Sequence, residues 1–304
     1  MTSGTPILFD RAALRARRAR AAGNFAAHDF LYREIADRLA DRLDDVVRRF
    51  PMALDLGTRG DLLAQVLGER GGVETLVRMD LSPDFVRRGS AGPGVVGDEE
   101  FLPFAAASFD LVFSVLGLHW VNDLPGALLQ INRALKPDGL FAGAFLGGAT
   151  LMELSDALRR AESEIEGALS PRTAPLADLR DAAGLMQRAG YALPIADSEI
   201  ITVTYADPFA LMRELRGMAE TNVAAGRRRS PTRRATLFRA AEIYMAEHAG
   251  PDGRIPATFE VVTIMGWHPA ATQQQPARRG SATARLATAL DAIEHSTGEK
   301  AGGH

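Results

Sequence analysis

The feature that most constrains the fold lies between Met52 and Gly148, where short apolar, strand-like runs alternate with segments of helical periodicity. The runs are "MALDL", "TLVRMDL", "GVVGD", "SFDLVFSVLGL" and "GLFAGAFLG". Helical patterns follow Asp61, follow Ser82-Pro83, and fill "DLPGALLQINRAL". Strands joined in this way lie parallel in a sheet covered by helices on both faces. Beyond Gly148 the chain turns helical in "TLMELSDALRRAESEIEGAL" and "PLADLRDAAGLMQRAG", then strand-like in "EIITVTY". Helices over 208–218 and 232–248 precede a last β-branched run, "ATFEVVTIMGW". The pattern predicts an α/β fold: a doubly wound, mainly parallel seven-stranded sheet, its last two strands antiparallel with helices inserted between them. Near the start, Leu31, Ile35, Leu39 and Leu43 recur at helical spacing, extended by Val46 and Val47, which predicts N-terminal helices running to Pro51.

Composition removes several kinds of chemistry. The chain has no cysteine, so disulfides, thiolate zinc sites, cysteine-ligated iron–sulfur clusters and a cysteine nucleophile are excluded. A net charge of -3 gives no general affinity for nucleic acid or membrane surfaces. No stretch has the roughly 20 apolar residues of a membrane span, which leaves at most peripheral membrane association. The N-terminus lacks the order of a secretory signal, and its arginine-rich, mostly acid-free character has a slight likeness to a mitochondrial targeting peptide. Lys occurs only at Lys136 and Lys300. That bias towards Arg suggests a bacterial protein of the cytoplasm, or of the inner face of the membrane.

Three short segments carry ligand-binding chemistry. "ALDLG" ends a strand in Asp55-Leu56-Gly57 and opens into a helix, which places backbone N–H groups and a carboxylate at the sheet's carboxyl edge. Asp80 ends the next strand about 25 residues later, where an acidic side chain accepts hydrogen bonds from a ribose diol. Asp98, after the third strand, is placed to accept from an adenine amino group. Lys136-Pro137-Asp138-Gly139 reads as the turn before the fifth strand.

This ordered set resembles the class I S-adenosylmethionine-dependent methyltransferase fold over residues 50–148. The resemblance implies S-adenosylmethionine as cofactor, with Asp55 and Gly57 by its methionine end, Asp80 on the ribose, Asp98 and Glu99 at the adenine, and the Ser114–Leu116 backbone beside the sulfonium. The methyltransferase pattern places glycines where this chain has Arg59 and Asp61, with Gly60 between them. Either the turn is rebuilt around Gly60 with Arg59 pairing the methionine carboxylate, or the two side chains fill the pocket. Further segments, among them "LFDRAALRARRARAA", "LHWVNDLPGALLQINRALKPDG", "AESEIEGALSPR", "LRGMAETN" and "GRIPATFEVVTIMGW", are similar to the methyltransferase-like assembly factor five family of respiratory complex I, from Leu8 to Trp267. That resemblance implies an enzyme that hydroxylates an arginine of a complex I iron–sulfur subunit. Ala149 departs from it, standing where the family's "GG-acidic-TL" pattern has a carboxylate. The rival readings are an O-methyltransferase of the malonyl-carrier-protein type and a non-catalytic assembly chaperone.

The division expected is a helical cap (1–49), a cofactor-binding core (50–148), a helical substrate region with the last two strands (149–268) and a disordered tail (269–304). His119-Trp120 follows the fourth strand, as a general base and orienting group or as a packed aromatic lip. Glu162 and Glu166, four residues apart on one helix face, are placed to receive a substrate guanidinium or to face solvent. Glu220 and Asn222 line the pocket or cap a helix exit. The run "GRRRSPTRR" lacks interleaved aromatics and reads as a solvated loop rather than a nucleic-acid site. The six histidines form no HxD/E pair of the kind that opens an iron facial triad, so no metal site is expected.

Overall fold

A computed structural model describes residues 7–172 and 179–273, with side chains in the second stretch from residue 182. In chain order the elements are α1 (Arg11–Ala22), α2 (Phe30–Asp41), β1 (Met52–Leu56), α3 (Leu62–Leu67), β2 (Thr75–Asp80), α4 (Pro83–Arg88), β3 (Gly94–Val96) and β4 (Phe109–Val115). Then follow α5 (Leu124–Ala134), β5 (Leu135–Leu146), α6 (Met152–Glu166), α7 (Leu179–Arg188), β6 (Ala192–Tyr205), α8 (Pro208–Gly217), α9 (Arg234–His248) and β7 (Ile255–Trp267).

The strands form one seven-stranded sheet in the order β3-β2-β1-β4-β5-β7-β6. The first five pair in parallel, and β7 runs antiparallel between β5 and β6. The expected fold class, with α8 and α9 inserted between the last two strands, is the one observed. Central β4 is buried along its whole length, Asp110 and Ser114 included, as a strand covered on both faces must be. One core packs α2, α3, α6, α8 and α9 on one side of the sheet, and the other packs α5 and α7. Edge strand β6 instead alternates between half-buried and exposed positions.

Helix starts obey local chemistry. Asp10, Asp123 and Asp207 each cap a helix by accepting from a backbone N–H three residues on, and Pro125 and Pro208 sit in first turns where a missing N–H costs nothing. Two expectations need correction. The helix containing Leu31, Ile35 and Leu39 ends at Asp41, not near Pro51, because the chain tightens into i→i+3 turns that bring Leu43 into the core that also holds Phe50 and leave Val47 in solvent. The Lys136–Gly139 segment lies within β5 as an irregularity, with Asp138 at φ +62° and the register to β4 shifting between Phe109 and Leu111.

The described residues up to Pro269 form one compact unit. The expected disordered tail lies outside the described residues from 274 onwards, and residues 270–273 make a turn closed by the Gln273 N–H on the Ala270 carbonyl.

Candidate active site

The loop after β1 answers the question posed by its missing glycines. Gly57 (φ +85°) and Gly60 (φ +77°) supply the left-handed backbone, so Arg59 and Asp61 need no unusual conformation. The Gly57 and Thr58 N–H groups both donate to the Met79 carbonyl, which clasps this loop to the end of β2. Asp61 turns away from the sheet edge and accepts from the Ser90 and Ala91 N–H groups and the Ser90 hydroxyl. Arg59 is buried between the rings of Tyr32 and Phe85, its carbon 5.1 and 4.9 Å from their centroids. Its guanidinium donates to the Gly57 carbonyl at 2.8 Å and to Asp80 at 3.0 Å.

The acids expected to hold a cofactor do converge at this edge, in the company of arginines from the N-terminal helix. Arg18 is completely buried and bridges Asp80 (2.9 Å) and Glu99 (2.5 Å), while Arg11 pairs with Asp98 (2.5 Å) and Glu99. Burial raises the Asp80 carboxyl against the pull of Arg18 and Arg59. For Glu99 burial is outweighed by Arg18 and Arg11, which hold its carboxyl well below the usual range. Neither arginine was singled out from the sequence. The available signal was their seven-residue spacing on α1, which sets both on one helix face.

At the neighbouring position the edge is under-satisfied. Asp55 Oδ2, Ser114 Oγ and Arg59 Nε are buried without a hydrogen-bond partner. Burial pushes the Asp55 carboxyl up to about 7. Gly57 lies close to Gly117: a Cβ on Gly57 would meet the Gly117 Cα at 3.7 Å. Leu116, just beyond β4, is held at φ +49°, a strained conformation of the kind that clusters at functional sites. Unpaired buried acceptors and a donor beside a glycine turn fit the charged amino-acid end of a ligand. The Asp80 oxygens already accept from Arg18, Arg59 and the Ser82 N–H.

A second focus lies alongside. Glu220, after α8, is buried and accepts from three donors: Tyr32 Oη (2.5 Å), His119 Nε2 (2.9 Å) and Trp120 Nε1 (3.0 Å). Burial would raise its carboxyl, but attraction and hydrogen bonding to His119, with the Tyr32 hydroxyl, hold it below the ordinary value. Since the carboxylate only accepts, His119 carries its proton on Nε2 when neutral, and Nδ1 is left as a buried, unpartnered acceptor. Together His119, Trp120 and Glu220 form part of the wall of a cavity of about 350 Å³ that Leu146, Leu154 and Leu215 make largely apolar. The sequence singled out His119, Trp120 and Glu220 separately. It missed Tyr32, which reaches them from α2.

Glu162 and Glu166 are not in that wall. Glu162 is held by Arg172 (2.5 Å) and Ser170, and Glu166 by Arg228 and Thr236 (2.7 Å). They are neither a solvated face nor free carboxylates, but internal counterions to arginines that do line the cavity. The run from Gly226 also corrects the expectation of a solvated loop, since Arg227 pairs with Asp10 (2.9 Å) and lines the cavity with Arg228. Asn222 lines it, and its side chain donates to the Pro171 carbonyl. Ala149 has no carboxylate of its own, and its backbone N–H donates to Glu260 at 2.7 Å. Among the described residues no group of three His, Asp or Glu side chains is placed to hold a metal ion, and no helix is long and apolar enough to cross a membrane.

Residues 54–143 match the family model of a methyltransferase domain. The fold is that of the YcgJ protein from Bacillus subtilis (TM-score 0.54, 16% identity, covering 77% of this chain and 98% of that one). The sheet order, the glycine turn and the acidic strand ends thus define a class I methyltransferase-fold enzyme, whose cofactor is S-adenosylmethionine. Across almost its full length the chain is 41% identical to the mitochondrial arginine-hydroxylase NDUFAF5 of Danio rerio (92% of this chain, 88% of that protein) and 42% identical to that of Homo sapiens (84% and 74%). The chain belongs to this NDUFAF5 arginine-hydroxylase family. It is also 33% identical to a malonyl-[acyl-carrier protein] O-methyltransferase of a Methylovorus species (88% and 93%). Because the NDUFAF5 relatives are mitochondrial by name, the expectation of a bacterial cytoplasmic protein is overturned.

Proposed function

We propose that this protein acts in respiratory complex I assembly by modifying, through hydroxylation, an arginine side chain of an iron–sulfur subunit. The observation that carries this reading is the Glu220 carboxylate beside His119 in the wall of an apolar cavity, in a chain related along its length to arginine hydroxylases. An arginine has an aliphatic stem and a permanent cationic head, which needs a carboxylate once desolvated. Leu146, Leu154 and Leu215 suit the stem, and Glu220 is the only acid in the cavity wall among the described residues. His119 Nδ1 is the acceptor for a substrate proton, and Glu220 and Trp120 keep the ring in place. Hydroxylation inserts one oxygen atom into a C–H bond and needs an oxidant from outside the chain's own side chains.

The cofactor is assigned to Asp55, Gly57, Arg59, Gly60 and the Ser114–Leu116 edge at its methionine end, with Asp80, Asp98 and Glu99 towards the nucleoside. When bound it supplies an electrophilic methyl group held on a sulfonium. A second reading, transfer of that methyl to the carboxylate of a carrier-bound acyl chain, is favoured by the apolar cavity with Arg172 and Arg228 in its wall and by the Methylovorus relative. Mass spectrometry of the complex I iron–sulfur subunit and of carrier-bound acyl chains, from cells with and without this protein, separates the readings. Gain of one oxygen on an arginine supports hydroxylation, whereas an unchanged subunit in a normally assembled complex, with a methyl ester gained by the carrier-bound acyl chain, supports methyl transfer. An unchanged subunit together with failed assembly would leave a chaperone.

A further inference from the structure

The cavity wall is rich in arginine. Arg17, Arg172, Arg216, Arg227 and Arg228 all line it, against one acid among the described residues, Glu220. Three of the five are balanced by one carboxylate each, from Glu162, Asp10 and Glu166. Arg17 and Arg216 have no ion-pair partner among the described residues. Arg17 is held in place by neutral groups, the Thr221 hydroxyl at 2.8 Å and the Asn222 carbonyl. Burial, with Arg227 and Arg20 nearby, lowers its pKa. Asp10, the carboxylate that acts on it, is already committed to Arg227 and to the Ala13 N–H. A guanidinium fixed by neutral groups among like charges is arranged for an anion from outside the chain.

We propose that these arginines form a rim that docks acidic residues flanking the arginine to be modified, so that the substrate is an arginine within an acidic stretch of polypeptide. The proposal rests on the arginine-modifying reading. It assigns the target side chain to the apolar interior and Glu220, and its neighbours to the five rim arginines. The rim also discriminates: an arginine flanked by cations is repelled, and one flanked by carboxylates is drawn in. A nucleic acid fits less well. Among the described residues His119 and Trp120 are the only aromatic side chains in the wall, and both are tied to Glu220, so they offer no platform on which successive bases stack.

Fluorescence anisotropy tests this with four dye-labelled peptides on the full-length protein, the central residue being Arg or Ala and the flanks Asp or Ser. Acidic flanks are expected to tighten binding about ten-fold at low salt, an advantage that falls as salt rises. In Arg216→Gln, and in the double variant Arg17→Gln/Arg216→Gln, the advantage should shrink to about two-fold or less. Arg216 is exposed and unpaired, so its substitution leaves the fold intact and keeps the test valid if the double variant is unstable. Equal binding of Asp- and Ser-flanked peptides, or a flank effect unchanged in both variants, would overturn the rim. So would competition by single-stranded DNA of equal charge as effective as that by the acidic peptide. A flank effect that persists with Ala at the centre, with no gain from Arg, would instead overturn the arginine reading and leave the rim standing.

Discussion

Replacing Glu220 by Gln perturbs the site at its most connected atom pair. Three donors converge on the Glu220 carboxylate, at 2.5, 2.9 and 3.0 Å, and all four side chains are buried. Gln keeps one oxygen, which can still satisfy Tyr32 or the His119–Trp120 side, but its NH2 must then face a donor. One buried donor left unpaired costs about 1–3 kcal/mol, and the loss of a charge-assisted acceptor adds a comparable amount. The total is about 3 kcal/mol, which for a domain of this size lowers Tm by about 6–12 °C. The pH dependence has a definite sign. The folded carboxyl titrates below its ordinary value of 4.5, so its contribution is present above that pH and is lost as pH falls through the folded value. Thermal melts followed by circular dichroism at neutral pH should show the full gap between wild type and Glu220→Gln, and a series of melts at successively lower pH below 4.5 a shrinking one. Equal melting at pH 7, or a gap that does not change with pH, would refute the ion-paired network described here.

Asp55, raised to about 7 by burial, has the opposite sign: its stabilising contribution is complete below 3.8 and lost as pH rises through about 7. Asp55→Asn should therefore melt higher than wild type at about pH 8 and equally near pH 4, while calorimetry shows weakened S-adenosylmethionine binding. Gly57→Ala meets no atom closer than 3.7 Å, so its cost is conformational, about 1–2 kcal/mol by urea unfolding from the left-handed backbone alone. Arg18→Met removes the bridge between Asp80 and Glu99 and should cost about 3–5 kcal/mol in the same assay. The variant is expected to bind S-adenosylmethionine at least as tightly as wild type, because Asp80 then accepts from one guanidinium fewer. Loss of all binding heat would make Arg18 a cofactor ligand instead.

What the sequence determined by itself is local or periodic. The apolar runs at Met52, Thr75, Phe109 and Leu140 specify strands because alternation with helices leaves few other ways to bury them. Asp55-Leu56-Gly57 marks a strand-to-helix turn because only glycine takes φ +85° without strain. The helix predicted to reach Pro51 failed for a tertiary reason, since periodicity at Leu43 and Val46 carries no information about the turn that brings Leu43 into the core that also holds Phe50. The same limit applied to the site. Tyr32, His119 and Glu220 are 188 residues apart at the extremes and meet only because α2, the β4 loop and the end of α8 close on one cavity. The acids at 162 and 166 were visible, but their charge had already been answered by Arg172 and Arg228 across space. A sequence displays which charges a chain carries. Which of them remain unpaired, and so are free to meet a ligand, is decided when packing brings distant segments within hydrogen-bond distance and shuts water out.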